Sequence, residues 1–116
     1  MVKPALEVVE EQLAAYNDRD LARFARTYAD DVEIYRPPAP EPVIRGAAAL
    51  AEFYRDQRFC HVGLRAEILG RLVTGNLVSD HERVHGLPGG PVEVFATYEV
   101  VGGRIRRVWL FAPSAV

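Results

Sequence analysis

Residues 92–111 read VEVFATYEVVGGRIRRVWLF and contain the clearest fold signal in the chain. Two runs rich in β-branched and aromatic residues flank the pair Gly102-Gly103. Glycine adopts a positive φ without steric cost, so this pair suits a two-residue turn between antiparallel strands. The segment therefore predicts a hairpin with strands over 92–101 and 104–111.

Two further turn signals precede this hairpin. Gly75-Asn76 separates two segments of strand character, which we place at 64–74 and 77–86. The segment Pro88-Gly89-Gly90-Pro91 then separates the second of them from residue 92. Four strands joined by short turns predict an antiparallel meander.

The N-terminal half has a helical period instead. Over residues 4–17 the apolar side chains at helical spacing are Leu6, Val9, Leu13 and Tyr16. Pro4 suits the first position of this helix. Asn17-Asp18-Arg19 ends it.

A second helix is predicted after Asp20, whose carboxylate can cap its first turn. Its apolar face would consist of Leu21, Phe24, Ala25 and Tyr28. Asp30-Asp31 would end it, before a short strand over 32–36 that stops at prolines. A third helix, rich in strong helix formers, follows over 47–54.

Helices followed by a four-stranded meander predict an α+β protein, and the length and composition favour one domain over residues 1–116. The chain has 116 residues, 49% of them hydrophobic, and a net charge of −2 that argues against a nucleic-acid binder. No run approaches the roughly 18 to 20 apolar residues of a membrane span, and no secretory signal is visible. The single cysteine, Cys60, excludes an internal disulfide and is interpreted as a small buried residue. We therefore expect a cytoplasmic domain. No cofactor is expected, because the glycine pairs are turns and not phosphate loops.

Four stretches together resemble the nuclear transport factor 2-like superfamily. They are Tyr16–Leu21, Tyr28–Asp31, Gly46–Tyr54 and the hairpin from Tyr98 to Ile105. The resemblance implies a cone-shaped α+β barrel, in which three N-terminal helices pack on a curved, mainly antiparallel sheet around a pocket. It also implies a homodimer through the outer face of the sheet, where Phe95, Trp109 and Phe111 are expected.

The superfamily includes SnoaL-like cyclases, ketosteroid isomerases and limonene-epoxide hydrolases, so each catalytic position must be compared. Where the isomerases have a donor tyrosine, a carboxylate base and a protonated aspartate, this chain has Gln12, Arg36 and Ala96. Arginine does not deprotonate in proteins, so Arg36 cannot be the base. Tyr54 matches a pocket tyrosine of the isomerases. The isomerase set is therefore incomplete.

The epoxide hydrolases offer a second template. Glu82-Arg83-Val84-His85 resembles their central strand, with Arg83 at the arginine position and His85 in place of an aspartate. Leu110 stands where their last carboxylate would be. This set is also incomplete, but a histidine pKa near neutrality suits a general base.

Strand alternation places Ser79, His81, Arg83 and His85 on one face, and Asp80, Glu82 and Val84 on the other. If Arg83 faces the pocket, as the resemblance implies, then both histidines do as well. The alternative is a solvated or dimer-contact face with charges paired across strands. His81 and His85 would lie roughly 13 Å apart on a strand, too far to share a metal ion.

These comparisons lead to one hypothesis with named residues. The catalytic candidates are His85, His81 and Arg83. The ligand-binding candidates are Gln12, Tyr16, Arg36, Tyr54, Ala96 and Leu110. The expected function is that of a SnoaL-like isomerase, cyclase or hydrolase acting on a small apolar ligand with a polar or anionic group. The alternative is a non-catalytic ligand-binding or dimeric interaction domain.

The charge of the expected pocket depends on two open points. Arg36 either meets a ligand anion or pairs internally with Glu33, Glu41 or Glu82. If the histidines and both arginines line the pocket, the cavity is locally positive. Asp80 and Glu82 facing inward would refute that expectation.

Overall fold

The computed structural model describes residues 2–113, in which a six-stranded sheet forms the larger layer. The strands are β1 (Tyr28–Tyr35), β2 (Ile44–Arg45), β3 (Arg65–Thr74), β4 (Leu77–His85), β5 (Val92–Val101) and β6 (Arg104–Phe111). Their order across the sheet is β2-β1-β6-β5-β4-β3. Strands β3 to β6 pair antiparallel in chain order, so the predicted meander is confirmed.

The hairpin between β5 and β6 has the turn that its glycine pair predicts. Gly102 and Gly103 have φ values of 62° and 81°. Both values lie in the left-handed region, where a side chain would be strained. The turn brings Val101 opposite Arg104 and sets the register of the two strands.

Three helices lie on the concave side of the sheet, the first and third in contact with its strands and the second packed against the other two helices. They are α1 (Ala5–Asn17), α2 (Leu21–Ala25) and α3 (Ala47–Gln57). The predicted cap of α2 is confirmed, because the Asp20 carboxylate accepts a hydrogen bond from the Arg23 backbone N–H at 3.1 Å. Between the helices and the sheet, the most deeply buried side chains are Val9, Phe24, Val32, Ile34, Leu50, Val78 and Ile105. No helix in residues 2–113 combines the length and apolar character needed to cross a bilayer.

The buried face of α1 is offset from the predicted stripe. Leu6 is 36% exposed. The buried residues of the helix are Ala5, Val8, Val9, Gln12, Ala15 and Tyr16. Val9 and Tyr16 of the predicted stripe are therefore buried, whereas Leu6 lies at the edge of the buried face.

The second helix is shorter than predicted. It ends at Ala25, and residues Tyr28–Asp31, expected in the helix, begin β1 instead. The Ile105 backbone N–H donates to the Thr27 carbonyl at 2.8 Å, and Tyr28 then pairs with Ile105 in a parallel register. This long-range pairing with β6 outweighs the local helical pattern.

Gly86 allows the end of β4 to pass the loop before β3. Its φ is 89°, and a Cβ there would lie 2.3 Å from the backbone carbonyl of Gly63. No side chain fits at that distance. The close contact positions Leu87, which follows directly and lines the cavity described next.

Candidate functional site

A cavity of about 220 Å³ lies between α1, the end of α3 and the concave face of the sheet. Its polar lining consists of Gln12, Tyr16, Arg36, Tyr54, Arg58, Glu82 and Tyr98. Its apolar lining consists of Leu13, Ala66, Val84, Leu87, Val92, Val94, Leu110 and Ala112. Mostly apolar walls with a few convergent polar groups are typical of small-molecule sites.

Glu82 supplies the buried carboxyl group of this cavity. It lies on β4, is 7% exposed, and accepts a hydrogen bond from the Tyr98 hydroxyl at 3.1 Å. Burial, followed by the nearby charge of Asp80, raises the pKa of Glu82 to about 7. The Tyr98 hydrogen bond and Arg71 oppose this rise. Both protonation states of the carboxyl group are therefore populated near neutrality.

Asp80 lies on the same face of β4 and is 2% exposed. The Arg71 guanidinium binds it through two hydrogen bonds, of 2.6 Å and 2.9 Å. A bidentate pair of this kind neutralises the charge of a buried carboxylate and supplies its hydrogen bonds. The ion pair between Arg71 and Asp80 therefore lies on the same buried face of β4 as Glu82.

Four tyrosines lie near enough to the Glu82 carboxyl group to be influenced by it. Gln12 on α1 donates from Nε2 to the Tyr28 hydroxyl at 3.0 Å. Burial raises the pKa values of Tyr16, Tyr28, Tyr54 and Tyr98, so all four stay protonated and can donate. Within residues 2–113, the side-chain hydrogen bonds engage the hydroxyls of Tyr28 and Tyr98 but neither of the other two. The hydroxyls of Tyr16 and Tyr54, which line the cavity, are therefore free to donate to a ligand.

An aromatic cluster holds these tyrosines in place. The ring of Phe24 lies 4.8 Å from that of Tyr54 and 5.1 Å from that of Tyr28, measured between centroids. Tyr16 lies 5.5 Å from Phe59 in an edge-to-face arrangement. Such contacts restrict the rings to single orientations and position the hydroxyl groups.

A SnoaL-like domain profile matches residues 9–108. The chain belongs to this family. No curated protein is significantly similar to it in sequence.

Among solved structures, the SnoaL-like domain is similar to a proposed ketosteroid isomerase from Kribbella flavida. The identity is 23% and the TM-score 0.81, over 97% of this chain and 79% of that one. A proposed polyketide cyclase from Sinorhizobium meliloti shares 21% identity with a TM-score of 0.76, over 93% of this chain and 99% of the other. At these identities the likeness establishes the cystatin-like, nuclear transport factor 2-like α+β fold. The domain match over residues 9–108 confirms the predicted superfamily, and these structures confirm the predicted fold class.

Five of the six ligand-binding candidates meet in the cavity of the SnoaL-like domain. They are Gln12, Tyr16, Arg36, Tyr54 and Leu110. The sixth, Ala96, lies on the concave side of β5 and is 1% exposed, but it is outside the cavity lining. Residues from α1, the end of β1, α3 and β6 thus converge, although they are far apart in sequence.

The expected position of His81, Arg83 and His85 on the pocket wall is wrong. All three lie on the convex, outer face of β4, because the inward face carries the buried residues Val78, Asp80, Glu82 and Val84. On this outer face they form ion pairs with glutamates of the two neighbouring strands. His81 lies 2.7 Å from Glu93, and His85 lies 3.0 Å from Glu67. Arg83 lies 3.4 Å from Glu93 and 3.8 Å from Glu67. The charge-paired alternative describes this face.

The expectation of a cavity made locally positive by the two histidines, Arg36 and Arg83 is also wrong. Asp80 and Glu82 face inward. Glu82 is the acidic group of the cavity lining, and the positive charge of Arg36 and Arg58 lies toward its exposed side. Cys60, expected to be buried, is exposed in the turn after α3, where its thiol donates to the Asp56 carbonyl at 3.3 Å.

Sequence reasoning missed Glu82 and Arg58 as cavity residues. The signal for Glu82 was that it shares a strand face with Val78 and Val84, because valines on one face of a strand indicate the buried side. Arg58 had no local signal, because its place depends on where α3 ends. In residues 2–113, no group of three or more His, Cys, Asp or Glu side chains has the arrangement of a metal site.

Proposed function

We propose that this SnoaL-like domain is an enzyme that moves a proton next to the carbonyl group of a small ligand, with Glu82 as the general acid and base. The observation that carries the proposal is a buried carboxyl group in the cavity, hydrogen-bonded to Tyr98, with a pKa of about 7. Proton transfer is most efficient when the pKa of the catalytic group lies near the working pH.

The chemistry follows from the groups around Glu82. Its carboxylate accepts the proton from the carbon beside the carbonyl, and the electron pair of the C–H bond moves toward the carbonyl oxygen. The hydroxyls of Tyr16 and Tyr54 stabilise the resulting enolate as hydrogen-bond donors. Glu82 then returns the proton to another carbon in an isomerisation. In a cyclisation, the enolate carbon attacks a second carbonyl, whose oxygen takes the proton.

The size of the cavity limits the ligand. Drug-sized ligands occupy pockets of roughly 300 to 1,000 Å³. The cavity here, at about 220 Å³, is smaller. A compact ligand with one apolar ring or chain is therefore proposed, rather than a steroid.

Deuterium exchange tests the assignment. Wild-type protein is incubated in heavy water with small ketones and keto acids, and loss of the carbon-bound proton is followed by NMR. Glu82→Gln keeps the shape and the Tyr98 contact but removes the base, so exchange is expected to fall by about 100-fold or more.

His85→Ala is the matched control, and it also tests the sequence-based candidate. We expect it to retain exchange, because His85 lies on the outer face of the sheet. Loss of exchange in His85→Ala with retention in Glu82→Gln would overturn the proposal. Ligand binding without exchange in any variant would favour the non-catalytic alternative.

We also propose that two copies pair through the outer face of the sheet, as expected from the sequence. Support comes from large apolar residues on this face, with Leu72, Phe95 and Phe111 exposed by 78%, 56% and 43%. Exposed apolar groups of this size mark interaction surfaces. The cytoplasmic location expected from the sequence stays a prediction.

A further inference from the structure

Arg36 lines the cavity without an internal ion pair. Of the three carboxylates considered for it, Glu33 lies 3.5 Å from Arg107, and Glu41 lies 3.0 Å from the arginine of β2. The third, Glu82, is hydrogen-bonded to a tyrosine. Within residues 2–113, no carboxylate oxygen lies within 4.0 Å of the Arg36 guanidinium. Its charge is therefore available to a ligand.

Arg58 reaches the same cavity from the end of α3. Its Nη1 donates to the Gln57 carbonyl at 3.0 Å, and its guanidinium lies over the Phe53 ring at 5.1 Å. In the described part of the chain it too lacks a carboxylate partner at ion-pair distance. The stacked ring and the carbonyl orient the guanidinium and leave its other N–H donors available.

The two guanidinium groups act on the same tyrosine. Burial raises the pKa of Tyr54, whereas the charges of Arg58 and Arg36 lower it. Both cations line the same cavity as this tyrosine, and both influence its hydroxyl group.

The positive and acidic side chains of the lining lie at different depths in the cavity. The lining contains two cations, Arg36 and Arg58, and one acidic group, Glu82. Arg36 is exposed and Arg58 half-buried, whereas Glu82 is buried. The neighbouring Asp80 is compensated by Arg71. An anionic group of a ligand would therefore meet both cations at the exposed side of the cavity.

We propose that Arg36 and Arg58 form an anion subsite at the mouth of the cavity, and that the substrate is a small keto acid. Its carboxylate binds the two guanidinium groups, and its enolisable carbonyl lies toward Glu82. The orientation of the carbonyl group toward Glu82 rests on the proposed function. The anion subsite rests only on the charged side chains of the cavity. Arginine suits this role because its planar fork binds a carboxylate through two hydrogen bonds.

Matched ligand pairs test the subsite. A series of aryl and alkyl keto acids is titrated beside the corresponding neutral amides, beginning with benzoylpropionate and benzoylpropionamide. Each pair differs in charge but hardly in shape. We expect the acids to bind wild-type protein at least about tenfold more tightly than the amides, the factor that one charge-assisted hydrogen bond contributes.

Variants locate the effect. The double variant Arg36→Gln, Arg58→Gln is expected to bind acid and amide equally. The control Arg65→Gln removes an exposed arginine that lies outside the cavity, so it should keep the preference for the acid. Melting temperatures check that each variant is folded. Equal binding of acid and amide by wild type, binding of neither, or loss of the preference in Arg65→Gln would overturn the subsite.

Exchange in heavy water separates this inference from the proposed function. Tight binding of the acid without exchange would refute the role of Glu82 and leave the anion subsite standing. Equal exchange of acid and amide would support the role of Glu82 and refute the anion subsite. Glu82→Gln should bind the acid and lose only the exchange.

Discussion

Replacing Glu82 by glutamine should remove a specific pH dependence of stability. The folded protein raises the pKa of this carboxyl group from 4.5 to about 7. The folded state therefore holds this proton more tightly than the unfolded chain between those two pH values. Stability from this group is complete below pH 4.5 and declines as the pH rises through 7. Glutamine cannot titrate and has no such decline.

The magnitude follows from the two pKa values. Each tenfold change in proton affinity corresponds to about 1.4 kcal/mol, so the rise from 4.5 to about 7 costs the wild type about 3 kcal/mol above neutrality. Glu82 is 7% exposed, so solvent screens this cost only weakly. Asp80, Arg71 and Tyr98 are the groups that act on the carboxyl, and the variant retains all three.

Urea unfolding followed by circular dichroism measures the effect. The free energy of unfolding of wild type and Glu82→Gln is compared at a series of pH values from below 4.5 to above 7. The difference between them should shift by about 3 kcal/mol in favour of the variant as the pH rises. Glu52→Gln removes an exposed carboxylate of α3 and should follow the wild type. A difference that stays constant across the range would refute the reasoning.

Three further predictions concern the cavity, the sheet and the outer face. Tyr98→Phe removes a hydrogen bond that lowers the pKa of Glu82, so the pH at which stability declines should move upward in the same urea series. Gly86→Ala places a methyl group 2.3 Å from neighbouring backbone and should lower the free energy of unfolding by at least about 3 kcal/mol. In the control Gly70→Ala, no atom lies within 4 Å of the added methyl group, so thermal unfolding should be unchanged. Phe95→Glu should convert the proposed dimer into a folded monomer by light scattering, and a monomeric wild type at high concentration would contradict the dimer.

Local patterns were sufficient for most of the secondary structure. The Gly102-Gly103 turn and the Asp20 cap depend on contacts within a few residues, so their sequence signals were reliable. The boundary between α2 and β1 was missed, because Tyr28 joins a strand through pairing with Ile105, which is distant in the chain. Local propensity does not include the energy of that pairing.

The candidate site was harder to predict than the fold. Alternation along β4 correctly separated His81, Arg83 and His85 from Asp80 and Glu82, but the resemblance to epoxide hydrolases assigned the wrong set to the pocket. The valines on the acidic face were the better guide, since burial of apolar surface outweighs the similarity of a short motif.

The sequence by itself therefore determined most of the helices and strands, and which side chains share each strand face. The tertiary structure decided which face of β4 points into the cavity. It also brought Arg36, Arg58 and Glu82 together there from three separate segments. The physical reason is that periodicity is a local property of the chain. The charge and pKa of a site depend on burial and on neighbours that only long-range packing provides.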